Sequence, residues 1–284
     1  MCDDHSEADN AEFLKSALSR RAFGAATAAA GAMMVLPRAA NALPVKGRDV
    51  TITTAAGTCD AYFVAPASGK HPAVLVWPDI FGLRPAFRQM ADRLAESGYA
   101  VLTVNPFYRS LTAPALVASG AREAIFAKAA EARKALTPDA VIVDATSFIA
   151  FIDKQPEVDT KRGVGTTGYC MGGPLVMQTA AAVPGRVRAG GSFHGGGLAA
   201  EPILALIPKM KASFLIAIAE NDDAKAPDEK DKVRAAMAAA GRPAEIEVYA
   251  GTLHGWCPPD SQVYNQAQAE RAWARLLALL GKAL

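Results

Sequence analysis

The chain has 284 residues, 51% hydrophobic and 20% charged, with a net charge of +2. That is enough apolar material for one sizeable α/β core, and no low-complexity tract or internal repeat interrupts it. Basic residues are interspersed with acids rather than gathered in an arm or an aromatic-interleaved stripe, so no nucleic-acid partner and no membrane-surface role are expected.

In chain order the first feature is a leader. Ser19-Arg20-Arg21-Ala22-Phe23 opens an uncharged Ala/Gly-rich run, AFGAATAAAGAMMVLP, which ends in Arg38-Ala39-Ala40-Asn41-Ala42. A twin arginine, a short and mildly apolar segment and a small-x-small ending resemble a twin-arginine export signal cleaved after Ala42. The run is too short to span a bilayer. The expectation is therefore a signal peptide over 1–42 and a single domain over 43–284. The mature chain would be periplasmic or secreted, with no stable membrane association and a monomeric state. An uncleaved tail or a single anchor is the alternative. Cleavage would remove Cys2 and leave Cys59, Cys170 and Cys257, an odd set with at least one free thiol in an oxidising compartment.

From residue 48 strand-like and helix-like segments alternate. VTITT (50–54) and AYFVA (61–65) predict an antiparallel pair across the turn near Gly57, and AVLVW (73–77) is a continuous apolar run suited to a strand buried on both faces. Helical spacing of Phe87, Met90, Ala91 and Leu94 predicts a helix over 84–98, stopped by Gly98. A strand over 100–104 follows, then helices over 121–136 and 138–154 split at Pro138. The pattern resumes with strand 163–169, helix 171–183, strands 187–193 and 212–219, helix 228–240, strand 245–249 and a long C-terminal helix from about 265. Such alternation predicts an α/β fold, a mostly parallel twisted sheet with helices on both faces. Ligands of such sheets bind beyond the carboxyl ends of the strands.

Cys170 stands at such an end, in GYCMGG, bracketed by Gly168 and Gly172. Glycines on both sides let strand and helix approach closely while the central residue takes a strained conformation that presents its side chain. The following helix N-terminus favours a thiolate there, so Cys170 reads as a nucleophile rather than an inert core thiol. Of the four histidines, His5 lies in the leader and His71 at the amino edge of a strand. His194 ends the strand after the elbow, and His254 follows the last strand in a glycine-flanked loop. Asp222, just past strand 212–219, completes the chain order Cys170, Asp222, His254 of a hydrolase triad, with Asp223 as the alternative acid. His254 is preferred to His194 as base.

WPDIFGL (77–83), PFYR (106–109), GYCMGG (168–173), AENDD (219–223) and AGTLHGW (250–256) together resemble the dienelactone hydrolases (carboxymethylenebutenolidases), from about residue 50 to the C-terminus. The resemblance implies an α/β-hydrolase fold and a Cys170–His254–Asp222 triad. It also implies an oxyanion hole from the backbone N–H groups of Met171 and Ile80, and Arg109 binding a substrate carboxylate. Asp79 stands where the family has a glutamate that helps to activate the thiol, and is one methylene shorter. Pro258 stands where a second carboxylate-binding arginine is usual. The implied reaction is cleavage of a small activated ester or lactone through a thioester. A broad carboxylesterase and a non-catalytic small-molecule binder are the alternatives. No cofactor is expected; no metal is expected either, since HExxH and paired-Cys spacings are lacking. Cys59 and Cys257 read as separate thiols rather than a disulfide.

Overall fold

The structure, a computed structural model, describes residues 6–18, 34–39, 41–114, 116 and 122–284. The twin arginine, Arg20-Arg21, and most of the apolar run behind it lie outside the described residues.

Eight strands form one sheet: β1 (Val45–Thr54), β2 (Gly57–Pro66), β3 (Ala73–Trp77), β4 (Ala100–Val104), β5 (Val164–Tyr169), β6 (Val187–Phe193), β7 (Ser213–Ala219) and β8 (Ala244–Tyr249). Their order is β1-β2-β4-β3-β5-β6-β7-β8. β2 runs antiparallel to β1 and β4, and all later pairings are parallel. The opening hairpin is longer than its apolar core suggested, because the register continues from Thr54↔Gly57 to Val45↔Pro66.

The helices are α1 (Ser6–Leu18), α2 (Pro85–Glu96), α3 (Arg122–Arg133), α4 (Pro138–Ile152), α5 (Gly172–Ala182), α6 (Glu201–Leu204), α7 (Glu220–Lys225), α8 (Glu229–Ala239) and α9 (Gln266–Ala283). The strands β3 and β4 are buried at every residue, and their alternating side chains serve two cores. On one face Leu75 and Trp77 pack with α4, α5 and α8; on the other Val74 and Val76 pack with α2 and α9. Pro138 opens α4 as predicted, because a proline in the first turn loses no helical hydrogen bond, and Thr137 caps it by accepting from the Ala140 N–H at 3.2 Å. Cys59 and Cys257 are free buried thiols in the cores on opposite faces of the sheet. No single helix among the described residues is long and apolar enough to cross a membrane.

Three elements depart from expectation, the short helix α6 between β6 and β7 being one. The acid turn after β7 is a short helix, α7, and residues 6–18 of the expected leader are helical and rest against it.

Candidate active site

Cys170 follows β5 with a φ of 52°, a left-handed conformation that a non-glycine residue adopts only when its surroundings impose it. Its N–H donates to the Phe193 carbonyl at the end of β6, at 3.0 Å. The bracketing glycines are there for want of space. A Cβ on Gly168 would lie 2.1 Å from the Gly172 carbonyl oxygen, and one on Gly172 would lie 2.5 Å from that of Trp77. Any side chain at either position would push α5 away from the sheet and lower the elbow. Met171 begins the turn into α5, and Ile80 comes from the loop after β3; both share a buried cluster with Cys170 and Phe107.

The acid and the histidine meet at the same edge. Asp222 Oδ2 lies 2.8 Å from His254 Nδ1. A carboxylate only accepts, so Nδ1 carries the shared proton, and Nε2 keeps its lone pair whenever the ring is neutral. Asp223 turns away and pairs with Lys230 at 2.7 Å. The short helix α7 explains the choice, since neighbouring residues on a helix point in different directions. Residues beside Asp222 fasten the histidine loop. Asn221 Oδ1 accepts from the His254 N–H at 2.8 Å, Glu220 Oε2 accepts from the Gly251 N–H at 2.7 Å, and Thr252 Oγ1 donates to the Tyr249 carbonyl at 2.6 Å. The sequence offered only the AENDD string as a sign of this, without saying which residue binds ring and which binds backbone.

His194 is packed against this pair. Its ring lies 5.1 Å from that of His254 at an interplanar angle of 76°. It is 1% exposed, its φ is 40°, and neither ring nitrogen meets a hydrogen-bond partner among the described residues. Burial, and then the neighbouring His254, push its pKa well below the ordinary 6.5, so it is neutral.

The two charged residues expected to touch substrate or thiol both take part in ion pairs. Asp79 receives Arg84 fork to fork, Nη1–Oδ1 at 2.6 Å and Nη2–Oδ2 at 3.0 Å, and its Oδ1 also accepts the Phe81 N–H at 2.9 Å. Arg84 continues to Asp260, Nε–Oδ2 at 2.6 Å. Burial opposes the charge on Arg84, but the two carboxylates outweigh it and raise its pKa. The segment after His254 thus contributes Asp260, an acid, close to where Pro258 replaces the usual arginine. Arg109, expected to bind a substrate carboxylate, pairs with Asp144, Nη1–Oδ2 at 2.7 Å and Nη2–Oδ1 at 2.8 Å. Tyr108 also donates to Asp144 Oδ1, at 2.6 Å. A cavity of about 360 Å³ adjoins the acid–histidine pair, floored by Leu198, Ile216, Ile218 and Val233. Among the described residues no group of three His, Cys, Asp or Glu side chains is gathered as metal ligands.

The sheet order and the tight left-handed turn between β5 and α5, with an acid–histidine pair at the same strand ends, define an α/β-hydrolase. The sequence pattern of the dienelactone hydrolase family matches residues 59–284. The chain belongs to that family, and is a carboxylic ester hydrolase of its type. A carboxymethylenebutenolidase homologue of Methylorubrum extorquens is 28% identical over 279 residues, 92% of either chain. One from Synechocystis is 27% identical over 77% of this chain and 89% of its own. Among solved structures, a dienelactone hydrolase homologue of Klebsiella pneumoniae superposes with a TM-score of 0.73 at 22% identity, over 84% of this chain and 99% of that one.

Proposed function

We propose that the protein hydrolyses a small activated ester or lactone through a Cys170–His254–Asp222 triad and a thioester. The observation that carries this reading is the 2.8 Å contact between Asp222 Oδ2 and His254 Nδ1 at the strand edge where Cys170 is held in a left-handed turn. His254 takes the thiol proton and Cys170 Sγ attacks the carbonyl carbon. The backbone N–H groups of Met171 and Ile80 receive the oxyanion. The C–O bond breaks, and the departing alkoxide takes the proton from His254. Water then attacks the thioester carbonyl, giving a proton to His254; the C–S bond breaks and the thiolate recovers that proton. A thiolate leaves readily, so the tetrahedral intermediate goes forward only when the alcohol also leaves easily. Enol esters and strained lactones meet that condition.

The engagement of Arg109 by Asp144, and of Arg84 by Asp79 and Asp260, favours a second reading of the substrate: a neutral ester rather than an anionic lactone. The test of the mechanism is mass spectrometry of a His254→Ala variant with a slow ester, which should place an acyl group on Cys170. Turnover persisting in Cys170→Ala, or acylation of Cys257 instead, would refute it.

We infer also that residues 1–42 direct export to the periplasm, a reading supported by the Ser19-Arg20-Arg21 motif and the small residues before Leu43. Replacing Arg20 and Arg21 with lysine should leave unprocessed protein in the cytoplasm.

A further inference from the structure

We propose that Asn10, on the helix preceding the twin arginine, is a positioning residue for His254, closing a ring of three hydrogen bonds around that histidine's main chain. The inference rests on His254 being the catalytic base. Asn10 Nδ2 donates to the His254 carbonyl at 3.3 Å. Asn10 Oδ1 accepts from Asn221 Nδ2 at 2.6 Å, and Asn221 Oδ1 accepts from the His254 N–H at 2.8 Å. The ring is closed, with every donor facing an acceptor. Turning either amide over would set like groups against each other, so the three bonds fix both orientations together. Asn10 and Asn221 are both buried, at 9% and 6% exposure, so these bonds are shielded from competing water.

The loop needs such a hold. His254 lies between Gly251 and Gly255, both with positive φ, at 74° and 96°. Glycines add backbone freedom on both sides of the residue that must keep its ring in place. Asn221 holds the N–H side of the His254 residue, and Asn10 holds the carbonyl side. Only a side chain with one donor and one acceptor on a planar group completes the ring; aspartate accepts but cannot donate. Asp9 and Lys225 pair beside it, but that ion pair is largely exposed and holds the helix only weakly. Because Asn10 precedes Ala42, cleavage of the leader would detach it, and the clamp would belong to the uncleaved chain.

The test uses the full-length protein with Asn10→Ala and Asn10→Asp, and Glu12→Ala as an exposed control on the same helix. Both Asn10 variants should lower kcat by about three- to tenfold, the loss of one hydrogen bond's positioning, with KM unchanged. Amide exchange over 250–256 should quicken in the Asn10 variants and stay as in wild type in Glu12→Ala. A kcat equal to wild type in Asn10→Ala, whatever the exchange does, overturns the proposal, as does a change confined to KM. The exchange measurement needs no turnover, so quickened exchange in an enzyme that proves indifferent to His254→Ala would sink the catalytic reading rather than the clamp.

Discussion

Arg109 and Asp144 face each other fork to fork across the boundary between the loop after β4 and α4, with both hydrogen bonds under 3 Å and the acid's side chain 1% exposed. The pair decides what the arginine can do. Asp144 occupies the Nη1–Nη2 edge of the guanidinium, which leaves a substrate carboxylate only the Nε edge. Releasing it would strand Asp144, whose other partner, Tyr108, is a neutral donor to Oδ1.

Arg109→Ala should therefore act on stability rather than selectivity. Removing one partner of a buried pair costs about 3–5 kcal/mol, to be read from urea unfolding. The ratio of kcat/KM for a matched anionic and neutral ester should stay within about twofold of wild type, well short of the tenfold that one charge contact corresponds to. A tenfold fall in that ratio would restore Arg109 as the carboxylate reader.

The chain Asp79–Arg84–Asp260 should respond unequally at its two ends. Asp79 has a side chain 9% exposed and Asp260 one 26% exposed. Asp79→Ala leaves a buried guanidinium short of its deeper partner and should cost about 3 kcal/mol or more, whereas Asp260→Ala should cost about 1 kcal/mol. Equal costs from chemical denaturation would mean that water reaches Arg84 as freely as Asp260.

The choice between adjacent acids is open to kinetics. Asp222→Asn should lower kcat by up to about 10⁴, because an amide at that place holds the wrong tautomer of His254. Asp223→Asn should change kcat by no more than about threefold, since that side chain serves Lys230. A large loss in Asp223→Asn alone would transfer the role.

His194 makes stability depend on pH with a definite sign. Its folded pKa lies well below 6.5, through burial first and His254 second. The unfolded chain therefore binds the extra proton first as pH falls. The stability conferred by the neutral ring is complete above about 6.5, and is lost as pH drops from there toward the folded pKa, by up to about 1.4 kcal/mol per pH unit. His194→Phe keeps an aromatic ring against His254 and should flatten that slope by about one proton between pH 6.5 and 5. An unchanged slope in urea titrations would show that His194 takes up its proton in the folded state.

Most of the sheet was readable because its signals are local. The run AVLVW can be apolar throughout only if both faces are covered, and Gly98, Pro138 and the glycines around Cys170 punctuate the chain within a few residues of where they act. The meeting of Asp222 with His254 was likewise visible, since both follow neighbouring strands at one edge of a parallel sheet. The short helix after β7 was not, because AENDDAK carries too few apolar residues to show a period. Nor was the support beneath His254. His194 was legible as a strand-end histidine, and its contact depends on how two loops fold toward each other.

Sequence alone determined the alternation of elements and the glycine-bracketed turn at Cys170, since each depends on residues within a turn or strand of one another. Tertiary structure decided which charges pair with one another and what holds His254. Arg84 meets Asp260 across 176 residues and Asn10 meets His254 across 244. No periodicity reports such pairs, because a hydrogen bond needs a distance and an angle between side chains whose separation along the chain is arbitrary.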